Sequence, residues 1–86
     1  MEKIIRVTMS QSKDIEISAP NTETIIISRD NRSIKADQLY DLLGFSTGDT
    51  YKIETSNEYK VDEEVFKFFV DLLISITEKL NTIASF

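Results

Sequence analysis

The last quarter of the chain carries the strongest structural signal in the sequence. Residues 62–83 are predicted to form one helix, and at about 100° per residue the apolar side chains sweep an arc of roughly 240°. A helix that packs on one side only needs an apolar stripe little wider than about 100°. The apolar residues are Val65, Phe66, Phe68, Phe69, Val70, Leu72, Leu73, Ile74, Ile76, Leu80 and Ile83. The helix therefore needs a second surface on which to bury them, either within the chain or on a partner.

The apolar arc divides into two rows. The inner row consists of Val65, Phe69, Leu72 and Ile76. The outer row lies roughly 60 to 140° further around the helix, at i, i+4 and i+8, and consists of Phe66, Val70 and Ile74. The interpretation that we favour is an interface, through which the chain forms a homodimer. The alternative is that both rows are core, with the helix wedged between a sheet and a shorter helix.

The composition is that of a folded protein with few candidates for catalytic or metal-binding residues. Of the 86 residues, 41% are apolar and 29% are charged, which predicts a single globular domain over residues 1–86. The chain contains no cysteine and no histidine, so disulfides, thiolate or imidazole ligands and cysteine nucleophiles are excluded. We therefore expect no enzymatic activity, no cofactor and no metal.

Neither end of the chain predicts a membrane segment. Lys3 and Arg6 interrupt the apolar residues at the start, where a signal peptide would need a continuous apolar region. Lys67 and Asp71 break the longest apolar run within about 12 residues, which is too short to span a membrane. We expect a soluble cytoplasmic protein with no membrane partner.

Strand patterns come first along the chain and helical patterns later. Alternation predicts strands over residues 3–9, 14–18 and 51–55, and a hairpin over 24–35 that turns at Asp30-Asn31. A short helix is predicted over 37–43, with Asp37 as N-cap and Gly44 just past its end. These elements predict an α+β two-layer open-faced sandwich, in which both helices cover one face of an antiparallel sheet of four or five strands. The predicted core is Ile5, Val7, Ile25, Ile27, Leu39, Leu42, Leu43, Ile53, Phe69, Leu72, Leu73 and Ile76.

About two-thirds of the chain resembles the histidine-containing phosphocarrier (HPr) family of the bacterial sugar phosphotransferase system. Residues 24–36 (TIIISRDNRSIKA) resemble the tight hairpin of that family, and residues 37–45 (DQLYDLLGF) resemble its short helix. Residues 46–53 (STGDTYKI) then match its turn and last strand, before the long closing helix. The resemblance implies an HPr-like domain of bacterial origin.

The chain departs from that family at the positions that carry its chemistry. It contains no histidine, so the phosphorylated histidine matches no position. The regulatory serine of the family's short helix falls near Gln38, which cannot be phosphorylated. Residues 9–23 are too few for both the active-site loop and the first helix of the family. The resemblance therefore implies a non-catalytic scaffold whose relatives present a helical face to protein partners, which fits a regulatory interaction module.

The acidic residues gather between positions 49 and 64. Six carboxylates against Lys52 and Lys60 give this stretch a net charge of −4, which disfavours direct binding to nucleic acid. The carboxylates are Asp49, Glu54, Glu58, Asp62, Glu63 and Glu64. The last three have a local explanation, because acidic residues stabilise a helix N-terminus by about 0.3 to 1 kcal/mol each. The alternative function is an acidic phage or mobile-element inhibitor of a nucleic-acid enzyme, of the anti-CRISPR or DNA-mimic type.

Overall fold

Four strands form one mixed sheet, and two helices complete the fold. The computed structural model describes residues 2–45 and 48–84. The strands are β1 (Glu2–Met9), β2 (Ile15–Ser18), β3 (Ile25–Ile27) and β4 (Thr50–Ser56), and the helices are α1 (Ala36–Leu43) and α2 (Glu63–Ala84). The strand order across the sheet is β3-β2-β1-β4, so β3 and β4 are the two edges. The predicted α+β class, the four strands and both helices are confirmed.

The direction of β4 differs from the predicted antiparallel arrangement. β1 and β2 pair antiparallel, as do β2 and β3, but β4 lies parallel to β1 with Ile5 opposite Ile53. A parallel neighbour requires a long crossover connection rather than a tight hairpin. Here the connection between β1 and β4 includes two strands and α1. The antiparallel prediction is therefore correct for β1 to β3 and wrong for β4.

The predicted hairpin over residues 24–35 does not form. β3 ends at Ile27 and pairs with β2, with Ile15 opposite Ile27, and no strand follows it in residues 28–35. Pairing with β2 places Ile25 and Ile27 on the same sheet face as Ile15 and Ile17. This shared apolar face explains why β3 pairs with β2 and not with residues 33–35. Residues 46 and 47, at the start of the segment 46–53 that resembles the turn and last strand of the phosphocarriers, lie outside the described residues.

The start of α1 also differs from the prediction. Lys35, rather than Asp37, is the N-cap residue, and its backbone N–H donates to Gln38 Oε1 at 2.8 Å. Asp37 lies in the first turn, where its charge favours the helix N-terminus. Gly44 ends the helix as predicted, with a positive φ of 61° that a residue with a side chain rarely adopts.

One apolar core lies between the sheet and the helices. Alternate residues of β1 are buried, and they share a cluster with Leu39 of α1 and with Phe69 and Leu73 of α2. Ile25, Ile53 and Leu72 of the predicted core are only half-buried, and the prediction for Leu42 is wrong because its side chain is 52% exposed. Buried apolar residues that the prediction did not include are Met9, Ile15, Ile17, Tyr51 and Leu80.

The opposite sheet face carries polar and charged side chains. The guanidinium of Arg6 on β1 bonds Glu54 on β4 at 3.2 Å, directly across the two strands. Ile26 on β3 belongs to the same face and is 61% exposed. We call this the outer face, because its residues alternate with those that point into the core.

Candidate interaction surface

The outer row of α2 is divided between core and surface. Phe66 and Val70 are half-buried against the core, whereas Ile74 is 37% exposed. Phe68, on another side of the helix, is 62% exposed, more than any other apolar side chain described in α2. Neither the interface interpretation nor the core interpretation therefore describes all three residues of the outer row. Ile83 is part of α2, but its side chain lies outside the described part of the structure.

Asn81 shows which way the outer row faces. It lies seven residues, or about two helical turns, beyond Ile74 and therefore on the same flank of α2. Its side-chain amide bonds both backbone groups of Tyr51 on β4: the N–H of Tyr51 donates to Oδ1 at 2.7 Å, and Nδ2 donates to the C=O of Tyr51 at 3.0 Å. We call this pair of hydrogen bonds the Asn81 clamp. It places the flank that carries the outer row beside β4.

The Asn81 clamp also fixes the direction of the backbone groups of β4. Because the N–H and C=O of Tyr51 bond Asn81, they point away from β1, towards the open edge of the sheet. Backbone direction alternates along a strand, so the N–H and C=O groups of Ile53 and Thr55 point to the same open edge. β4 therefore presents backbone donors and acceptors of the kind that another strand can pair with.

α2 runs back alongside β4 from the end of that strand. A turn after β4 is held by Asn57, whose side chain bonds the N–H and the C=O of Val61 at 3.3 and 3.0 Å. From the Asn81 clamp back to Ile74 the helix covers about 10 Å. Three residues of β4 beyond Tyr51 cover about the same distance, so Ile74 lies level with the middle of β4.

Together these residues form a surface that combines an open strand edge with apolar side chains. We call it the β4 edge surface; it consists of Ile53 and Thr55 of β4 and Val70 and Ile74 of α2. The backbone groups of Ile53 and Thr55 supply hydrogen-bonding capacity, and Ile74 supplies exposed apolar area. This combination suits protein association, because a long exposed edge strand is a template for pairing with another chain.

The acidic stretch does not form one array. Asp49 lies before β4 and its carboxylate bonds the Lys3 ammonium at 2.9 Å, which raises the pKa of Lys3 above its ordinary value of 10.5. Glu54 lies on the outer face with Arg6. Asp62 lies beyond the other end of β4, about 20 Å from Asp49 by strand length.

Basic side chains from elsewhere in the chain also approach Asp62. Its two carboxylate oxygens lie 3.7 Å from Lys13 Nζ and 3.8 Å from an Arg32 nitrogen. The same Arg32 nitrogen also donates to the backbone carbonyl of Lys13. Three of the six predicted acidic residues are thus paired with basic groups. The other three, Glu58, Glu63 and Glu64, are exposed and lie in the turn before α2 and in its first turn.

A second apolar surface lies at the other edge of the sheet. A groove of about 440 Å³ runs between β3 and α1, and the exposed side chains of Ile26 and Leu42 line it. Asn31, Ser33, Gln38 and Asp41 add polar groups to its walls. The sequence did not point to this groove, because it depends on Leu42 turning away from the core.

Within the described ranges, 2–45 and 48–84, no three acidic side chains approach closely enough to hold a metal ion. In the same ranges, neither helix combines the length with the uninterrupted apolar sequence that a transmembrane span requires.

Comparisons with known proteins do not identify a family. No family model, no curated protein and no solved structure matches this chain. The resemblance to the histidine-containing phosphocarriers stays a prediction.

Proposed function

We propose that this chain is a small non-enzymatic interaction module that forms a homodimer through α2 and the adjoining edge of β4. The observation that carries the proposal is the position of Ile74, which is 37% exposed beside an open strand edge. The resemblance to the phosphocarrier scaffold supports a regulatory role, in which the dimer binds a further protein.

The energetics of a small domain favour such association. A chain of this length buries only about 60% of the surface that it exposes when unfolded, so its own core gives limited stability. Fully burying a Val or Ile side chain contributes about 1.5 to 3 kcal/mol, and a two-fold interface counts each residue twice. Burial of Ile74 and of the partly covered Val70 against a second copy would therefore stabilise a dimer.

Substitution of Ile74 tests the proposal against a matched position on the same helix. Ile74→Glu places a charge in the interface, so we expect the molar mass by light scattering at tens of micromolar to fall from twice 9.9 kDa to 9.9 kDa. The control is Phe68→Glu, which changes a more exposed residue on another side of α2 and should leave the dimer intact. A monomeric mass for the unsubstituted chain would refute the proposal.

The acidic-inhibitor function remains the alternative, with less support. Pairing of Asp49, Glu54 and Asp62 with basic side chains weakens the negative field that such an inhibitor needs. Charge reversal at the exposed Glu58 and Glu63 should abolish binding to a basic partner at low salt if this function is correct. Under the homodimer proposal the same reversal leaves the mass of the dimer unchanged.

A further inference from the structure

We infer that two copies of the chain join their sheets by pairing their β4 strands antiparallel, about a two-fold axis at Ile53. This inference rests on the proposed homodimer and assigns its register. The result would be a continuous sheet of eight strands, with one α2 from each copy next to the junction. The occupant of the β4 edge surface is thus a second copy of this chain.

The alternating backbone of β4 limits which residues can face each other. Only residues whose N–H and C=O groups point outward can form hydrogen-bonded pairs across the junction, and these are Tyr51, Ile53 and Thr55. The Asn81 clamp already holds both groups of Tyr51. The two-fold axis therefore lies at or near the segment from Ile53 to Thr55.

The charges of Lys52 and Glu54 favour one of these registers, the one with its two-fold axis at Ile53. With the axis at Ile53, Lys52 lies opposite the partner subunit's Glu54, and Glu54 lies opposite the partner subunit's Lys52. Both side chains belong to the outer face and are exposed. Opposite charges directly across an antiparallel pair are stabilising, and like charges there are destabilising.

The neighbouring registers lose this complementarity. An axis at Glu54 sets that residue against its own copy, which brings two carboxylates together. An axis at Lys52 brings two ammonium groups together. It also requires the backbone N–H and C=O of Tyr51, which the Asn81 clamp already holds. An axis at Thr55 sets Glu54 opposite Ser56 and leaves Lys52 without a partner in the strand.

The selected register makes two central backbone hydrogen bonds. The N–H of each Ile53 donates to the C=O of the partner subunit's Ile53. The next outward pair along would need Tyr51, so the Asn81 clamp keeps the strand junction short. A junction of this length is weak alone, and Ile74, level with the middle of β4, supplies the apolar contact that supports it.

Charge reversal with rescue by mixing tests the register. Lys52→Glu alone sets two carboxylates opposite each other across the junction, and Glu54→Lys alone sets two ammonium groups opposite each other. Each variant should raise the dimer dissociation constant by about tenfold or more. In an equimolar mixture the heterodimer regains two opposite-charge pairs, so dimers should reappear with a dissociation constant near that of the unsubstituted chain. Matched controls are Lys79→Glu on α2 and Glu23→Lys before β3, which make the same charge changes at other exposed positions.

The outcomes separate this inference from the proposed function. Circular dichroism first confirms that each variant is folded, and sedimentation equilibrium then measures association. Weakened single variants with recovery in the mixture support the register. Unaffected dimers of both single variants would overturn the register while leaving the homodimer in place, and so would variants that stay monomeric when mixed. A monomeric unsubstituted chain would overturn the homodimer and the register together.

Discussion

The two edges of the sheet are built differently. β3 is three residues long, whereas β4 has seven residues. A very short edge strand offers little template for another chain, and natural proteins use such strands to prevent unwanted pairing. The longer β4 is restricted near its start by the Asn81 clamp, and the groups of Ile53 and Thr55 still point outward. This difference is the reason we propose that the β4 edge, and only its middle, is the site of association.

The apolar side chains near the two edges follow the same division. At the β3 edge, Ile26 and Leu42 are 61% and 52% exposed beside an open groove. At the β4 edge, Ile74 is 37% exposed and sits beside a longer strand. Exposed apolar area alone would favour the β3 edge, whereas the outward backbone N–H and C=O groups favour the β4 edge.

The largest expected effect comes from proline at adjacent positions of β4. The N–H of Lys52 points to β1, so Lys52→Pro removes a bond of the sheet and should cost about 1 to 3 kcal/mol of the free energy of unfolding. The N–H of Ile53 points to the open edge, where proline is tolerated, so Ile53→Pro should keep the fold but lose the dimer. Urea unfolding and light scattering measure the two effects. Equal loss of folding in both variants would contradict the assigned backbone direction.

The next effect concerns the Asn81 clamp. Asn81→Ala removes two hydrogen bonds to Tyr51 and should lower the free energy of unfolding of the monomer by about 1 to 2 kcal/mol. The same change makes the backbone N–H and C=O of Tyr51 available to the partner subunit's Thr55. We therefore expect a lower dimer dissociation constant by sedimentation equilibrium. Thr82→Ala, at the neighbouring exposed position, is the control. Weaker association of Asn81→Ala would show that the clamp supports the interface instead of limiting it.

The smallest effect concerns the ion pair at the start of β4. The hydrogen bond to Asp49 raises the pKa of Lys3 above 10.5, so the folded state holds the proton more tightly than the unfolded state. The stabilisation is complete below pH 10.5 and is lost as the pH rises through the folded-state pKa. Lys3→Met should therefore have a slightly lower thermal midpoint at pH 8, and the difference should shrink as the pH rises through the folded-state pKa of Lys3. A difference that persists unchanged at high pH would mean that packing of the side chain, and not its charge, is responsible.

The sequence predicted those elements whose signals are local. Helical periodicity gave α2 to within a residue at each end, and the glycine at position 44 marked the end of α1. The pairing of β3 and the direction of β4 depend on contacts between distant segments, which alternation within one strand does not encode. The predicted hairpin over 24–35 failed for that reason.

The candidate site was predicted only in part. The outer row of α2 was found from its spacing, but the half-buried state of Phe66 and Val70 depends on how the helix rotates against the sheet. Asn81 gave no signal, because a single asparagine on a helix does not reveal that it bonds a strand 30 residues away. The one sequence feature related to the role of Asn81 is its position two turns beyond Ile74, on the same flank of α2.

Amide hydrogen exchange at Ile53 tests most directly whether the β4 edge is the site of association. At concentrations well below the dimer dissociation constant this amide faces solvent and should exchange rapidly, whereas at high concentration it donates to the partner subunit and should be protected. The amides of β3 should exchange at the same rate under both conditions. Slower exchange at Ile53 alone with rising concentration is the predicted result. Unchanged exchange at Ile53, or protection that appears in β3 instead, would contradict it.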